Sequence, residues 1–281
     1  MQSVQENSEK IIEVNISDNG KIETKYESGG STREIKNKTG KTIISNTTKK
    51  TDDKKEHVKN HEGQEITYEY DESGNLLSVK KDGRLLTRYE YDALNQLVRE
   101  DNKEYNYSNT YQYDCSGNLV QTQKYKFSEG SLNGKNVTES HSYTYSDNWQ
   151  DLLVEYNGSK ITYDEIGNPL AYRDGSFQWE KGKMLSGVKN SENKIDYAYN
   201  SNGIRIRKDV NGIVTNYHVD GNKIISEKTG KDLKWYFYDE NESVTAYQKG
   251  EKMYYYEKDK LDNIIGIYNE KGEKVVGYSY D

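Results

Sequence analysis

The residues of this chain best placed to do chemistry at a regular spacing are aspartates, each following a pair of tyrosines. The pattern Tyr-x-Tyr-Asp/Asn occurs six times, ending at Asp71, Asp92, Asp114, Asn200, Asp239 and Asp281. Looser copies end at Asp164, Asp220 and Asp259, and a weak one is Tyr143-Thr144-Tyr145-Ser146. A recurring carboxylate can cap a turn by accepting backbone N–H groups, or it can build a ladder of calcium sites. Calcium wants roughly six to eight oxygens converging on one ion, and a single aspartate per repeat cannot supply them, so turn capping is expected. The tyrosines could likewise stack on sugars, but their fixed recurrence points to cross-strand packing. Trp149, Trp179 and Trp235 share no such period and stand as the candidate glycan platforms.

Other chemistry finds little to use. His57 and His61 lie four apart without the Glu of a His-Glu-x-x-His metal motif. Cys115 sits within a turn pattern, and no Gly-x-Ser-x-Gly or phosphate loop is present. The reading is of a non-enzymatic chain without a metal or cofactor. A formal net charge of -7 disfavours a nucleic-acid partner. No apolar stretch is long enough to span a membrane. Met1-Gln2-Ser3-Val4-Gln5 lacks the basic and apolar regions of a signal peptide.

The elements that must position the aspartates are strands. In Arg84–Asp92 one face reads Leu85, Thr87, Tyr89, Tyr91 and the other Leu86, Arg88, Glu90, Asp92, the period of two of a β-strand. Three residues after the acidic or amide position stands Gly74, Asn95, Gly117, Gly167, Gly203 or Asp262, following Asp71, Asp92, Asp114, Asp164, Asn200 and Asp259. Those types tolerate positive φ, as a type I turn closed by a left-handed bulge residue requires. Asp239 departs from the rule, with Glu242 in the glycine position. Midway come second reversals at Asp82-Gly83, Asp174-Gly175, Asn211-Gly212, Thr229-Gly230, Lys249-Gly250 and Lys271-Gly272. Each repeat thus reads strand, tight turn, strand, aspartate turn. The fold class is all-β: a long antiparallel meander of hairpins forming a curved or spiralling sheet. Only 32% of the residues are hydrophobic, a level that suits disorder. Tyr outnumbers Phe 27 to 3, however, and buriable rings with polar tips suit thin, wet-edged sheets better. Residues 61–281 form the array. Residues 1–60 carry short β-like runs without the motif and are expected to be degenerate repeats or an edge segment, ending in a solvated linker over 49–56.

Tyr111-Gln112-Tyr113-Asp114-Cys115-Ser116-Gly117-Asn118-Leu119 resembles the YD repeat of the Rhs family, which includes bacterial wall-associated polymorphic toxins, insecticidal toxin-complex components and teneurins. The resemblance covers roughly residues 64–281 and is closest over Tyr254–Ile267, Gly272, Val275-Val276 and Tyr278–Asp281, which is similar to the segment leading into the Rhs-associated core. It implies part of a β-shell that encloses a C-terminal toxin polypeptide, and an extracellular or cell-surface location. The cleavage aspartates of such a core would follow Asp281, so the chain is expected to be a fragment or truncated frame of a larger exported protein. The competing expectation is a cell-wall or carbohydrate-binding adhesion module. Lys234-Trp235-Tyr236-Phe237-Tyr238 looks a little like choline-binding wall repeats, although those are richer in Trp.

Overall fold

The structure, a computed structural model, describes residues 10–16, 20–27, 29–52, 54–259, 261–278 and 280. Asp281 and the first residues, Met1–Gln5, lie outside them. Among the described residues there are twenty-six strands and no helix. Every ladder described below is antiparallel and joins strands consecutive in sequence, as an all-β meander demands. The chain groups into two units, one of Met1–Lys50, Val58–Gln64 and Tyr197–Asp281, the other of Thr51–His57 and Glu65–Asp196.

The second unit is an uninterrupted meander from Glu65–Tyr70 to Lys194–Tyr199. Its interior is polar and aromatic. Thr67, Ser78, Thr87, Asp101, Asn102, Ser108 and Ser128 are buried with Tyr107 and Tyr125. A register shift precedes each YD turn, at Glu69/Tyr70, Glu90/Tyr91 and Gln112/Tyr113. That is the bulge the turn residues foretell, and it adds local twist.

The first unit holds two meanders. One runs through Lys10–Asn15, Gly20–Glu27, Gly30–Asn37 and Thr42–Asp52. The other runs from Arg205–Val210 to Lys274–Gly277. Ile16, Ile22, Ile35, Ile43 and Ile44 of the first pack with Ala246, Met253, Tyr255 and Tyr268 of the second in one core. Polar fasteners join them: Arg33 Nη2 donates to Asp239 Oδ2 at 2.7 Å and Lys41 Nζ to the Lys271 carbonyl at 2.7 Å. Five isoleucines are therefore buried in a segment whose short runs alone suggested an edge. The expected solvated stretch 49–56 is largely strand, since Thr42–Asp52 continues through it and Lys55–Lys59 follows.

Some reversals sit one residue away from their expected places. Tyr172 pairs with Gly175, so Arg173 (φ 52°) and Asp174 make that turn rather than Asp174-Gly175. Thr229 pairs with Asp232 and Lys249 with Lys252, leaving Gly230-Lys231 and Gly250-Glu251 as the loops. Asp220 pairs with Lys223, so the loose motif copy ending there closes through Gly221-Asn222 as a tight turn.

Candidate functional site: the YD turn and its tyrosine rung

At each YD turn the acidic or amide oxygen is spent on the backbone. Oδ1 of Asp71, Asp92, Asp114, Asp164, Asn200, Asp239 and Asp259 accepts the N–H groups two and four residues on, at 2.8–3.1 Å. Where an Asn follows at the fourth position, its amide donates to Oδ2, as Asn75 does to Asp71 and Asn118 to Asp114. Those amides lead the groups that hold Asp71 and Asp114 below the usual carboxylate range. The third residue takes positive φ at Gly74, Asn95, Gly117, Gly167, Gly203 and Asp262. Glu242 does the same at φ 64°, so the Asp239 turn closes in spite of its non-glycine residue.

Three further turns of this kind are built on Asn37, Asn60 and Asn269, with Gly40, Gly63 and Gly272 at the bulge position. Lys271-Gly272 is thus part of a YD-type turn rather than a two-residue loop. The Asn-x-x-Gly spacing was a sufficient signal. A motif keyed to tyrosine overlooks it, because Lys36, Lys59 and Tyr268 precede these asparagines instead of a full Tyr-x-Tyr.

The tyrosine before the turn has a second task. Its hydroxyl donates to a carbonyl at the first or second residue of an earlier strand: Tyr91 to Leu76, Tyr113 to Leu97, Tyr145 to Leu119, Tyr238 to Ile224 and Tyr280 to Ile264, at 2.7–3.0 Å. Tyr163 donates to the Leu153 carbonyl in the same way. The ladder between Leu76–Lys81 and Arg84–Tyr91 ends at Ser78↔Arg88, which leaves the Leu76 carbonyl short of a strand partner. A phenolic O–H fills that vacancy and a phenyl ring could not. Trp179 performs the same service with indole Nε1, donating to the Pro169 carbonyl at 2.7 Å. Lys258, in the tyrosine position of its repeat, instead reaches Ser243 and Asp262.

Of the other candidate platforms, the Trp149 ring lies over Gly167, close enough to exclude a Cβ there, and is 45% exposed. Trp235 is 43% exposed in Asp232–Tyr238. The structure does not bring the three tryptophans into a common ring contact. His57 bonds Glu65 at 2.7 Å, and His61 meets the Tyr268 ring edge-on. Cys115 is exposed. Among the described residues no group of three or more His, Cys, Asp or Glu side chains could hold a metal ion, and none of the helices needed for a helical membrane span is present.

In the second unit one buried ionic knot ties a long loop to the sheet. Asp101, 2% exposed, accepts from Arg88 at 2.7 Å and Arg99 at 2.9 Å. The same arginines donate to the carbonyls of Ser128, Glu129 and Gly130. Beside it, Glu100 accepts the hydroxyls of Tyr107 and Tyr111. Burial, reinforced by Glu100, pushes the Tyr89 and Tyr111 hydroxyls up to about 12. These tyrosines stay protonated at any physiological pH, and Tyr111 donates to Glu100. Taken together, the turn and the rung fix geometry between repeats.

No protein-family profile matches the chain. It is 30% identical over 208 residues to the tRNA3(Ser)-specific nuclease WapA of Bacillus spizizenii and 31% identical over 208 residues to the tRNA nuclease WapA of Bacillus subtilis strain 168. Each match takes in 68% of this chain and 8% of the relative, so the chain spans about 8% of the length of these curated relatives. Among solved structures, TcdB2-TccC3-TEV aligns with a TM-score of 0.51 at 12% identity, over 92% of this chain and 17% of that one. TcdB2-TccC3 without its hypervariable C-terminal region aligns at 0.50 and 12%, over 93% and 17%. At that identity the likeness speaks to fold, and the fold is the same kind of long antiparallel sheet. In repeat type and in architecture, the comparisons support a place for this chain among the Rhs/YD-repeat proteins.

Proposed function

We propose that the chain is a non-enzymatic wall segment of a secreted or surface toxin-type protein, its sheet helping to enclose a client polypeptide that lies C-terminal to it. The observation that carries this reading is the rung: a repeat is tied to a carbonyl of an earlier strand by a hydroxyl or indole N–H, which builds wall and spends the polar groups an active site would need. The sequence relatives are nucleases, and a nuclease-type polypeptide is the natural client. In this reading residues 61–281 are the array, and residues 1–60 are degenerate repeats recruited to cover its last strands.

Protease protection in the native producer tests the proposal. The client should resist trypsin while the sheet is intact and be digested once mild denaturant opens it. Digestion at equal rates in both states would overturn the proposal. The exposed rings of Trp149 and Trp235 favour a second reading, adhesion to cell-wall glycan. That reading expects the chain to pellet with purified walls and to lose pelleting on Trp235→Ala; failure to pellet removes it.

A further inference from the structure

An asparagine followed by glycine can lose its side-chain amide, because glycine has no Cβ to obstruct attack by its backbone nitrogen on the preceding side-chain carbonyl. Among the described residues there are four such pairs, Asn133-Gly134, Asn157-Gly158, Asn202-Gly203 and Asn211-Gly212. The attack needs a glycine N–H that is not hydrogen-bonded and an asparagine side chain free to turn toward it.

Three of the pairs are held. The Gly203 N–H donates to the Asn200 carbonyl at 3.1 Å within its YD-type turn. The Gly212 N–H donates to Asp209 Oδ1 at 2.8 Å. At Asn157 the side chain itself is tied, Oδ1 accepting the Ser142 N–H at 2.8 Å and Nδ2 donating to His141 Nδ1 at 2.9 Å. Asn133 and Gly134 are different. Both are exposed, in the segment between Lys126 and Val137. The bonds of their turn run from the Asn133 N–H to Ser131 Oγ at 3.1 Å and from the Lys135 N–H to the Leu132 carbonyl at 3.0 Å. They leave the Asn133 side-chain amide and the Gly134 N–H without a partner among the described residues. The space that a Cβ on Gly134 would enter is open.

We propose that Asn133 is a spontaneous modification site, where the folded chain exchanges an amide for a carboxylate while the other three asparagines are protected by their hydrogen bonds. The Gly134 nitrogen gives its proton to solvent base and bonds to Cγ of Asn133. Ammonia leaves and a five-membered succinimide closes. Water then adds to one of the two ring carbonyls and breaks its C–N bond, giving aspartate or isoaspartate. The sum is amide and water in, carboxylate and ammonium out, with no oxidant or reductant. The product brings a new negative charge and, as isoaspartate, an extra methylene in the main chain. The loop can take up both, because Arg88 and Arg99 grip it upstream through the carbonyls of Ser128, Glu129 and Gly130. The site is independent of the shell reading.

The test is peptide mapping by mass spectrometry of the 281-residue chain, aged at mildly alkaline pH either folded or in guanidinium chloride. In the folded sample the amide-to-acid mass gain should appear at Asn133 roughly tenfold or more ahead of Asn157, Asn202 and Asn211, since each of those must first give up a hydrogen bond. In denaturant the four rates should converge. Equal rates in the folded chain would overturn the proposal, as would a ranking that survives denaturation, which would assign the selectivity to local sequence. Ammonia release gives a second reading. Asn133→Gln, in an exposed loop, should remove the fast phase of release from the folded chain; a fast phase that persists in this variant would equally sink the assignment.

Discussion

The two units solve the same problem with opposite materials. The first buries five isoleucines with Met253 and Tyr255 and so has an aliphatic core. The second buries threonine, serine, asparagine and Asp101, and is held by hydroxyl, guanidinium and carboxylate contacts. The repeat motif is common to both, so it does not decide which material is used. In the first unit two meanders share one face, and a face shared between two sheets suits aliphatic side chains; in the second unit the buried polar groups are paired with one another.

The contrast can be broken from either side. The largest loss is expected from Ile22→Ala, about 3 kcal/mol for a fully buried aliphatic side chain. Hydrogen exchange should speed up in the first unit well beyond the second, and equal loosening of both would refute the division of materials. Next comes Asp101→Asn, about 2 kcal/mol, because two arginines lose their carboxylate and their hold on the 128–130 carbonyls. Exchange and proteolysis should then increase at that loop first; an unchanged loop would show that the knot is ornamental. Tyr113→Phe removes one rung and should cost about 1 kcal/mol, whereas Tyr→Phe at a position without a rung should cost less. If denaturation midpoints fail to separate the two, the rung is not a source of stability.

The smallest effect is pH-dependent. Lys80, then Ser78, hold the Glu69 carboxyl down to about 2 against an ordinary 4.5. A group depressed on folding stabilises the protein fully above its unfolded value and loses that contribution as the pH falls from about 4.5 toward 2. Glu69→Gln should therefore flatten the acid side of the stability profile in the second unit. A profile superimposable on the wild type down to pH 2 would contradict the pairing.

Much of this was legible in the residues. Asp or Asn at one position and Gly, Asn or Asp three later is a local code, and the turns at Asp71, Asp92 and Asp114 follow from it without tertiary information. The rung was only half legible. The excess of Tyr over Phe signals that hydroxyls matter, but the acceptor is a main-chain carbonyl between 10 and 26 positions back, and carbonyls leave no mark on a sequence. The packing of Ile22 and Ile35 on Met253 and Tyr255 was not legible, because alternating isoleucines announce a buried face without naming the segment more than 200 residues away that buries it. Glu242 shows the limit of a residue code from the other direction. Its turn closes because Asp239 and the strands on either side specify it, and one unfavourable φ does not outweigh them.

The rung also sets what evolution can do to such a chain. It joins two fixed points and takes no notice of their separation along the chain: Tyr91 lies 15 positions after Leu76, Tyr145 lies 26 after Leu119 and Tyr163 lies 10 after Leu153. Lengthening an intervening loop costs chiefly closure entropy, roughly 0.6 kcal/mol per doubling. A repeat can therefore acquire an insertion, as the segment between Lys126 and Val137 illustrates, while the next tyrosine still finds its carbonyl. Extra residues are taken up between the two fixed points, and the strands they join keep their course.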